Sequence, residues 1–121
     1  MNYNSILIVS GEPNSIFLEL YFKVLKLKKI KFPLILICSE KLLKLQMKKL
    51  KFKMNIRTLE SSKLDIYNLN NKSINLINVE YDPKNAFEKI TNKSNLYIEK
   101  SFQKAFKILK KGKIKKFING P

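Results

Sequence analysis

The stretch LIVSGEPNSIFLELYFKVL, residues 7–25, decides the fold because a short apolar run stops at Gly-Glu-Pro and an amphipathic segment follows at once. A strand that turns directly into a helix leaves the first N–H groups of the helix unpaired, and these groups attract anions. Gly11 is the only glycine in the stretch, so neither the dinucleotide fingerprint nor a P-loop is present. Pro13 suits the first helical position, and Asn14 or Ser15 is the alternative cap, so the residues favour a plain strand-to-helix turn over a ligand loop.

Length and composition indicate one globular unit. The chain has 121 residues, of which 45% are hydrophobic, and we treat residues 1–121 as a single α/β domain or a partial domain. It lacks a run of about 20 apolar residues and a signal-peptide pattern, which predicts a cytoplasmic protein with no membrane partner. Cys38 lies in an apolar run and is expected to be a buried thiol. Without any histidine, these residues alone supply no histidine-bearing metal site or catalytic triad.

The net charge of +16 raises the question of nucleic-acid binding. Of the 25 basic residues, 24 are lysine and only Arg57 is arginine, the residue that reads guanine edges and forks onto phosphates. The lysines are spread over every segment, while alanine and glycine are scarce, which is typical of A- and T-rich codons. We therefore expect a solvated lysine-rich surface and no specific nucleic acid as a partner, although weak, salt-sensitive binding is expected in either case.

Apolar runs alternate with segments of helical periodicity. Strands are predicted for residues 5–10, 34–38, 55–60, 74–81 and 115–119. Helices are predicted for residues 13–28, for 39–51 with Ser39 as N-cap, and for 94–111 with Gly112 as C-cap. The apolar positions predicted to face the core are Ile16, Phe17, Leu20, Val24 and Leu27 in the first helix and Ile98, Phe102, Ala105, Phe106 and Leu109 in the last. Residues 61–73 are expected to form a loop and 82–93 an irregular connection.

This alternation predicts an α/β fold, a three-layer structure with a largely parallel sheet and helices on both faces. The predicted strand core consists of Ile6, Ile8, Leu34, Leu36, Ile37, Phe117 and Ile118. In such sheets ligands bind beyond the carboxyl ends of the strands. The segments SGEPNS (10–15) and NGP (119–121) both fall at these ends, so they are expected to share the functional edge.

Together the two segments resemble the N-terminal portion of the 4-hydroxythreonine-4-phosphate dehydrogenase family. That family begins with a strand and a Gly-Asp/Glu-Pro-Ala-Gly-Ile-Gly-Pro-Glu loop, and later reaches a Thr-Gly-Pro-Ile-x-Lys segment. The positions of the first motif that match are Gly11, Glu12, Pro13, Ile16 and Glu19, and those of the second are Gly120 and Pro121, with Asn119 in place of threonine. The resemblance follows the order and rough spacing of parts over essentially the whole chain.

The resemblance implies a partial isocitrate/isopropylmalate dehydrogenase-like fold. Its cleft-loop candidates are Gly11, Glu12, Pro13, Asn119, Gly120 and Pro121. No catalytic residue or metal ligand is assigned to this chain, and its cofactor-binding residues are unknown. Asn14, Ser15, Phe17 and Leu18 replace small residues and proline of the family loop. The chain also stops inside the second motif, which is consistent with truncation.

For a complete protein the resemblance implies NAD-dependent, metal-assisted oxidation of a phosphorylated hydroxy-amino acid in pyridoxal phosphate biosynthesis. It further implies a homodimer with its active site between two α/β domains. The cofactors expected for the complete enzyme are NAD and a divalent metal, and neither is expected to bind tightly to this chain alone. Two alternatives remain open: a lysine-rich nucleic-acid-binding α/β module and a non-catalytic interaction domain.

Overall fold

A computed structural model describes residues 4–121, so the first three residues of the predicted unit lie outside the described part. Its strands are β1 (Ile6–Val9), β2 (Leu34–Cys38), β3 (Ile56–Thr58), β4 (Ile74–Asn78) and β5 (Lys116–Asn119), and its α-helices are α1 (Phe17–Leu27), α2 (Glu40–Lys49) and α3 (Asn95–Lys110). The strands form one sheet in the order β3-β4-β2-β1-β5, and every pairing is parallel. The predicted α/β fold is confirmed.

The central strands are apolar at nearly every position because both faces of the sheet are covered. On one face Ile8, Leu34 and Leu36 pack with the inner sides of α1 and α2. On the other face Val9 and Ile37 pack with α3 and with the segment that follows β3. Successive side chains of a strand point to opposite faces, so each run serves two separate cores.

The predicted core face of α1 is wrong at three of its five positions, while Phe17 and Val24 are partly buried. Ile16, Leu20 and Leu27 are 64%, 49% and 62% exposed. The buried positions are Leu18, Tyr21, Phe22 and Leu25. Eight of the eleven residues of this helix are apolar, so a 3.6-residue period fits more than one face, and the face that carries Tyr21 and Phe22 is the one that packs on the sheet.

In α3 the predicted stripe is largely confirmed, because Ala105 is buried and Ile98, Phe102 and Leu109 pack against the same core. Only Phe106 of the stripe is exposed, and Tyr97 and Ile108 are buried in addition. Ile118, also predicted to be core, is 47% exposed. It pairs with Ile8 but lies on β5, one of the two edge strands within residues 4–121, where the face beside α1 is left uncovered. Apolar residues on an edge strand therefore need not be buried.

Helix ends agree with the expected signals in two of three places. Ser39 caps α2 by accepting a hydrogen bond from the N–H of Leu42 at 3.2 Å. Gly112 follows α3 with φ +78°, and its N–H donates to Leu109 at 3.0 Å. Helix α1 begins only at Phe17 and has no side-chain cap at Ile16, so neither Pro13 nor the predicted caps start the helix.

Two connections take short 3₁₀ turns. The predicted loop 61–73 contains one at Ser61–Ile66, and the irregular connection 82–93 leads into another at Asn92–Ser94. Within residues 4–121, none of the helices has the length and apolar character needed to cross a bilayer.

Two leucines on opposite sides of α1 test which face carries the core. Replacing Leu25, which is 6% exposed, with alanine should lower the free energy of unfolding by about 2–5 kcal/mol, because a buried side chain leaves a cavity. The matched change Leu20→Ala should stay within about 0.5 kcal/mol. Urea unfolding followed by circular dichroism measures both values, and equal losses would contradict the assignment of the buried face.

Candidate functional site

The two sequence motifs meet at the carboxyl edge of the sheet. Val9 is in register with Asn119 because β1 and β5 are parallel neighbours, so the segments that follow them leave the sheet side by side. The N–H of Gly120 donates to the carbonyl of Val9 at 2.7 Å, and the N–H of Glu12 donates to the carbonyl of Pro121 at 2.7 Å. The prediction that both motifs lie on one edge of the sheet is correct.

Gly11 and Gly120 allow the two backbones to touch. Gly11 has φ +73°, and a Cβ there would lie 2.8 Å from the carbonyl carbon of Gly120 and would collide with the carbonyl oxygen of Pro121. A Cβ on Gly120 would collide with the carbonyl of Ser10 and lie 2.9 Å from the ring of Phe17. The space that glycine provides is therefore occupied by the second motif and is not left open for a phosphate.

The Glu12 carboxylate occupies the loop after β1. Its Oε1 accepts from the N–H of Asn14 at 3.3 Å, and its Oε2 accepts from the hydroxyl of Ser94 at 3.3 Å. The Ser15 hydroxyl in turn accepts from the N–H of Phe17 at 3.3 Å. With Pro13 fully buried, this loop has the structure of a self-contained turn.

The connection between β4 and α3 closes over this turn. Gln46, on α2, is buried, and its Nε2 donates to the carbonyls of Pro13 at 2.8 Å and Ala86 at 2.9 Å. The N–H of Glu88 donates to the side-chain oxygen of Asn14 at 2.8 Å. Gln46 thus joins the turn to a segment more than 70 residues further along the chain.

Tyr97 links the ends of β1 and β2. Its hydroxyl accepts from the N–H of Ser39 at 3.0 Å and shares a hydrogen bond of 3.2 Å with the hydroxyl of Ser10. Its ring stacks on Tyr81 with 4.8 Å between centroids. Burial raises the pKa of the Tyr97 hydroxyl well above 10, and the neighbouring Cys38 adds to the shift, so this hydroxyl is a neutral structural hydrogen-bonding group.

The start of α2 is also occupied by its own side chains. The N–H of Ser39 donates to the Tyr97 hydroxyl, and the N–H of Glu40 donates to the side-chain oxygen of Asn78 at 2.8 Å. The N–H of Leu42 donates to the Ser39 hydroxyl. A helix start binds anions through free N–H groups, and three at this end already have partners.

The six cleft-loop candidates differ in accessibility. Gly11, Pro13 and Gly120 are buried and serve the scaffold, whereas Glu12 is half-buried and Asn119 and Pro121 are exposed. The Asn119 amide donates to the neighbouring carbonyl of Gly120, at 3.2 Å.

Two buried residues of this edge, Gln46 and Tyr97, were not predicted as site residues. Gln46 lies one turn after Leu42, on the apolar side of a lysine-rich helix, and a polar residue in such a register is the sequence signal of a buried hydrogen-bonding group. Tyr97 carries no comparable signal, because its partners come from residues 58 and 87 positions away.

A resident metal does not fit the described residues, since residues 4–121 contain no group of three His, Cys, Asp or Glu side chains that could hold one. An NAD pyrophosphate does not fit the turn after β1 either. The glycine space there is filled by the second motif, and Glu12 places a negative charge beside the loop amides.

The fold is that of 4-hydroxythreonine-4-phosphate dehydrogenases. A crystal structure of such a dehydrogenase from Burkholderia phymatum superposes with a TM-score of 0.80 and 18% identity, covering 98% of this chain and 36% of the other. A putative one from Salmonella typhimurium gives a TM-score of 0.77 and 17% identity, covering 98% and 37%. This chain therefore spans little more than a third of their length. No family model and no curated protein matches the sequence. The resemblance predicted from the two motifs is confirmed as a likeness of fold.

Glycine substitutions test the contact between the motifs. Gly11→Ala and Gly120→Ala should each destabilise the fold by about 3 kcal/mol or more, because the added methyl meets backbone atoms that cannot move independently. Gly112→Ala is the matched control for Gly11→Ala, since both glycines have a positive φ but a Cβ at Gly112 would meet open space, and it should cost about 1 kcal/mol. The losses are measured by denaturant titration. A loss in Gly112→Ala as large as that in Gly11→Ala would show that positive φ is the constraint at Gly11, and a loss of about 1 kcal/mol or less in Gly120→Ala, where φ is not positive, would contradict the close contact there.

Alkaline pH tests the buried network around Cys38. Burial raises the pKa of this thiol to about 11 from 9.0, so the folded state holds it neutral where the unfolded chain ionises it. Its contribution to stability is complete below pH 9 and is lost towards pH 11, by up to about 1.4 kcal/mol per pH unit. Unfolding free energies measured from pH 8 to 10 should fall less steeply in Cys38→Ala, and parallel curves would contradict the assignment.

Proposed function

We propose that this chain supplies the N-terminal α/β segment of an NAD- and metal-dependent 4-hydroxythreonine-4-phosphate dehydrogenase, acting in the cytoplasm on the route to pyridoxal phosphate, and that it is inactive alone. The proposal is supported chiefly by the meeting of the two motifs at Gly11 and Gly120 in a fold that matches such dehydrogenases over 98% of the chain.

The chain's own contribution is one wall of a cleft. Buried glycines fix the turn after β1 against the end of β5, and Glu12, Asn119 and Pro121 are the accessible groups of that wall. Asn119 ends β5, and a hydrogen bond joins the N–H of Glu12 to the carbonyl of Pro121, so the three residues are held in fixed relation to one another, which is what the positioning of a small polar substrate requires.

The metal ligands and the nicotinamide site have to come from outside residues 4–121, given the lack of a fitting carboxylate cluster there. A homodimer, in which a partner subunit completes the site, is part of the proposal. Hydride transfer depends on holding the reacting groups in position, and orientation contributes roughly 7–11 kcal/mol to such reactions. A single wall does not provide this orientation.

The isolated chain should show no turnover of phosphorylated 4-hydroxythreonine with NAD and a divalent metal. NADH formation followed by absorbance measures this, with heat-treated protein as the control. Metal-dependent turnover well above that control would show that the chain carries a complete active site and would refute the assignment to a partial one.

A chimera tests the positive part of the proposal. Residues 4–121 should replace the matched third of the Burkholderia phymatum dehydrogenase and leave measurable NAD- and metal-dependent turnover, because the two segments share a fold. The same chimera with Asn119→Ala should fold equally well and lose activity, since Asn119 is exposed beside the cleft. A folded but inactive chimera would count against the proposed function.

A further inference from the structure

A large groove lies beside the edge strand β3, away from the meeting point of the two motifs. It has a volume of about 980 Å³ and lies between α2 and the chain leading into β3. Its lining includes the lysines Lys26, Lys28, Lys44, Lys51, Lys53 and Lys72. The proposed dehydrogenase function gives this groove no role.

The charge of the groove is strongly positive. Glu40 is its one acidic lining residue, and it is paired with Lys44 at 2.8 Å. That pairing lowers the pKa of the Glu40 carboxyl, so Glu40 stays ionised and neutralises Lys44. The remaining five lysines form no ion pair with a carboxylate in residues 4–121. A net charge of about five therefore faces one concave surface, which favours an anionic occupant.

Two of these lysines stand where glycine is usual. Lys28 and Lys51 follow the ends of α1 and α2 with φ values of 53° and 55°. This left-handed conformation costs a non-glycine residue about 1–2 kcal/mol. Both helix ends thus present a charged side chain to the groove at a cost in backbone conformation.

The outer edge of β3 is unpaired within residues 4–121, and Ile56 of this strand lines the groove. β3 is the last strand of the order and pairs only with β4 within the described residues. The N–H of Ile74 donates to the backbone carbonyl of Asn55, and the N–H of Leu59 donates to the backbone carbonyl of Leu76. The backbone N–H and C=O groups of the odd-numbered residues therefore point towards β4. Alternate residues of a parallel strand bond to opposite neighbours, which leaves the N–H and C=O groups of Ile56 and Thr58 for an additional strand.

The floor of the groove is apolar and suits side chains better than bases. Met47, Phe52, Met54 and Ile56 line it, but Phe52 is buried and stacked on Phe22 with 4.7 Å between centroids. A single-stranded nucleic acid needs exposed rings for its bases and gains from arginine, and the lining offers neither. An open strand, an apolar floor and a lysine rim instead match the requirements of an extended peptide.

We propose that the groove binds an acidic peptide, which adds as a strand along β3. Alternate apolar side chains of the peptide rest on the methionine and isoleucine floor, and the carboxylates between them meet the five lysines. The site is independent of the cleft wall, so it holds whether or not the dehydrogenase proposal does.

The probe is a fluorescein-labelled ten-residue peptide of alternating glutamate and valine, and binding is read by anisotropy. Lys28→Glu/Lys51→Glu/Lys53→Glu should weaken binding about tenfold or more. The control, Lys89→Glu/Lys100→Glu/Lys104→Glu, changes the net charge equally but lines no part of the groove, and it should lose less than about threefold. Equal losses in the two triple variants would overturn the proposal.

A second variant separates binding from folding. Lys28→Gly/Lys51→Gly removes two charges and relieves two positive φ values, so it should raise the midpoint of urea unfolding while weakening the peptide severalfold. Unchanged peptide binding in this more stable variant would contradict the groove assignment.

Two further probes test the class of ligand. A ten-residue polyglutamate should bind several times more weakly than the alternating peptide, because it lacks the side chains for the floor. A single-stranded uridine decamer should also bind more weakly. If polyglutamate or the uridine decamer binds as tightly as the alternating peptide, the groove recognises negative charge alone and the proposal of strand addition is wrong.

Discussion

The backbone contact between Gly11 and Gly120 is the constraint on which the carboxyl edge of this protein depends. Two hydrogen bonds of 2.7 Å hold the chain after β1 against the chain after β5, and neither position has room for a Cβ. That contact requires β1 and β5 to be neighbours although they are more than 100 residues apart. Parallel pairing between distant strands is slow to form, because the intervening chain must be ordered before the new contacts stabilise the fold. We therefore expect the carboxyl edge and the rest of the sheet to form together.

The same contact explains why the edge is self-contained. Glycine space, loop amides and helix-start amides are the usual means of holding a phosphate, and here each is used by the protein itself. Glu12 takes the loop amide of Asn14, and Tyr97 with Asn78 takes the start of α2. A ligand at this edge is therefore restricted to exposed side chains and to whatever faces them, which is the property of a cleft wall rather than of a complete pocket.

The sequence predicted the strands well and the buried face of α1 poorly, for one physical reason. A strand buried on both sides is a continuous apolar run, so β1 and β2 are unmistakable whichever way they face. A helix is located by its period, and α1 is apolar at so many positions that Leu20 and Leu25 fit equally well until packing selects one. The prediction that Ile118 is buried was wrong because the order of the strands in the sheet decides which strand lies at the edge, and the local sequence does not contain that order. Gly11 and Gly120 were found through a motif, whereas Tyr97 depends on contacts that no local pattern encodes.

Composition and structure also compete at the left-handed positions. The chain has three glycines and 24 lysines, and it places lysine at two helix ends where glycine would fit without strain. The free-energy cost at Lys28 and Lys51 is conformational only, about 1–2 kcal/mol per residue. The helix dipole offsets part of this cost because it favours a cation at the C-terminal end of a helix. Replacing Gly11 with lysine would add a direct collision with the backbone of Gly120 and Pro121, and no favourable interaction of the lysine charge would offset it. Lysine is thus tolerated at positive φ where its side chain meets no other backbone, as at Lys28 and Lys51. Glycine is required at Gly11, where a second backbone segment occupies the place of the side chain.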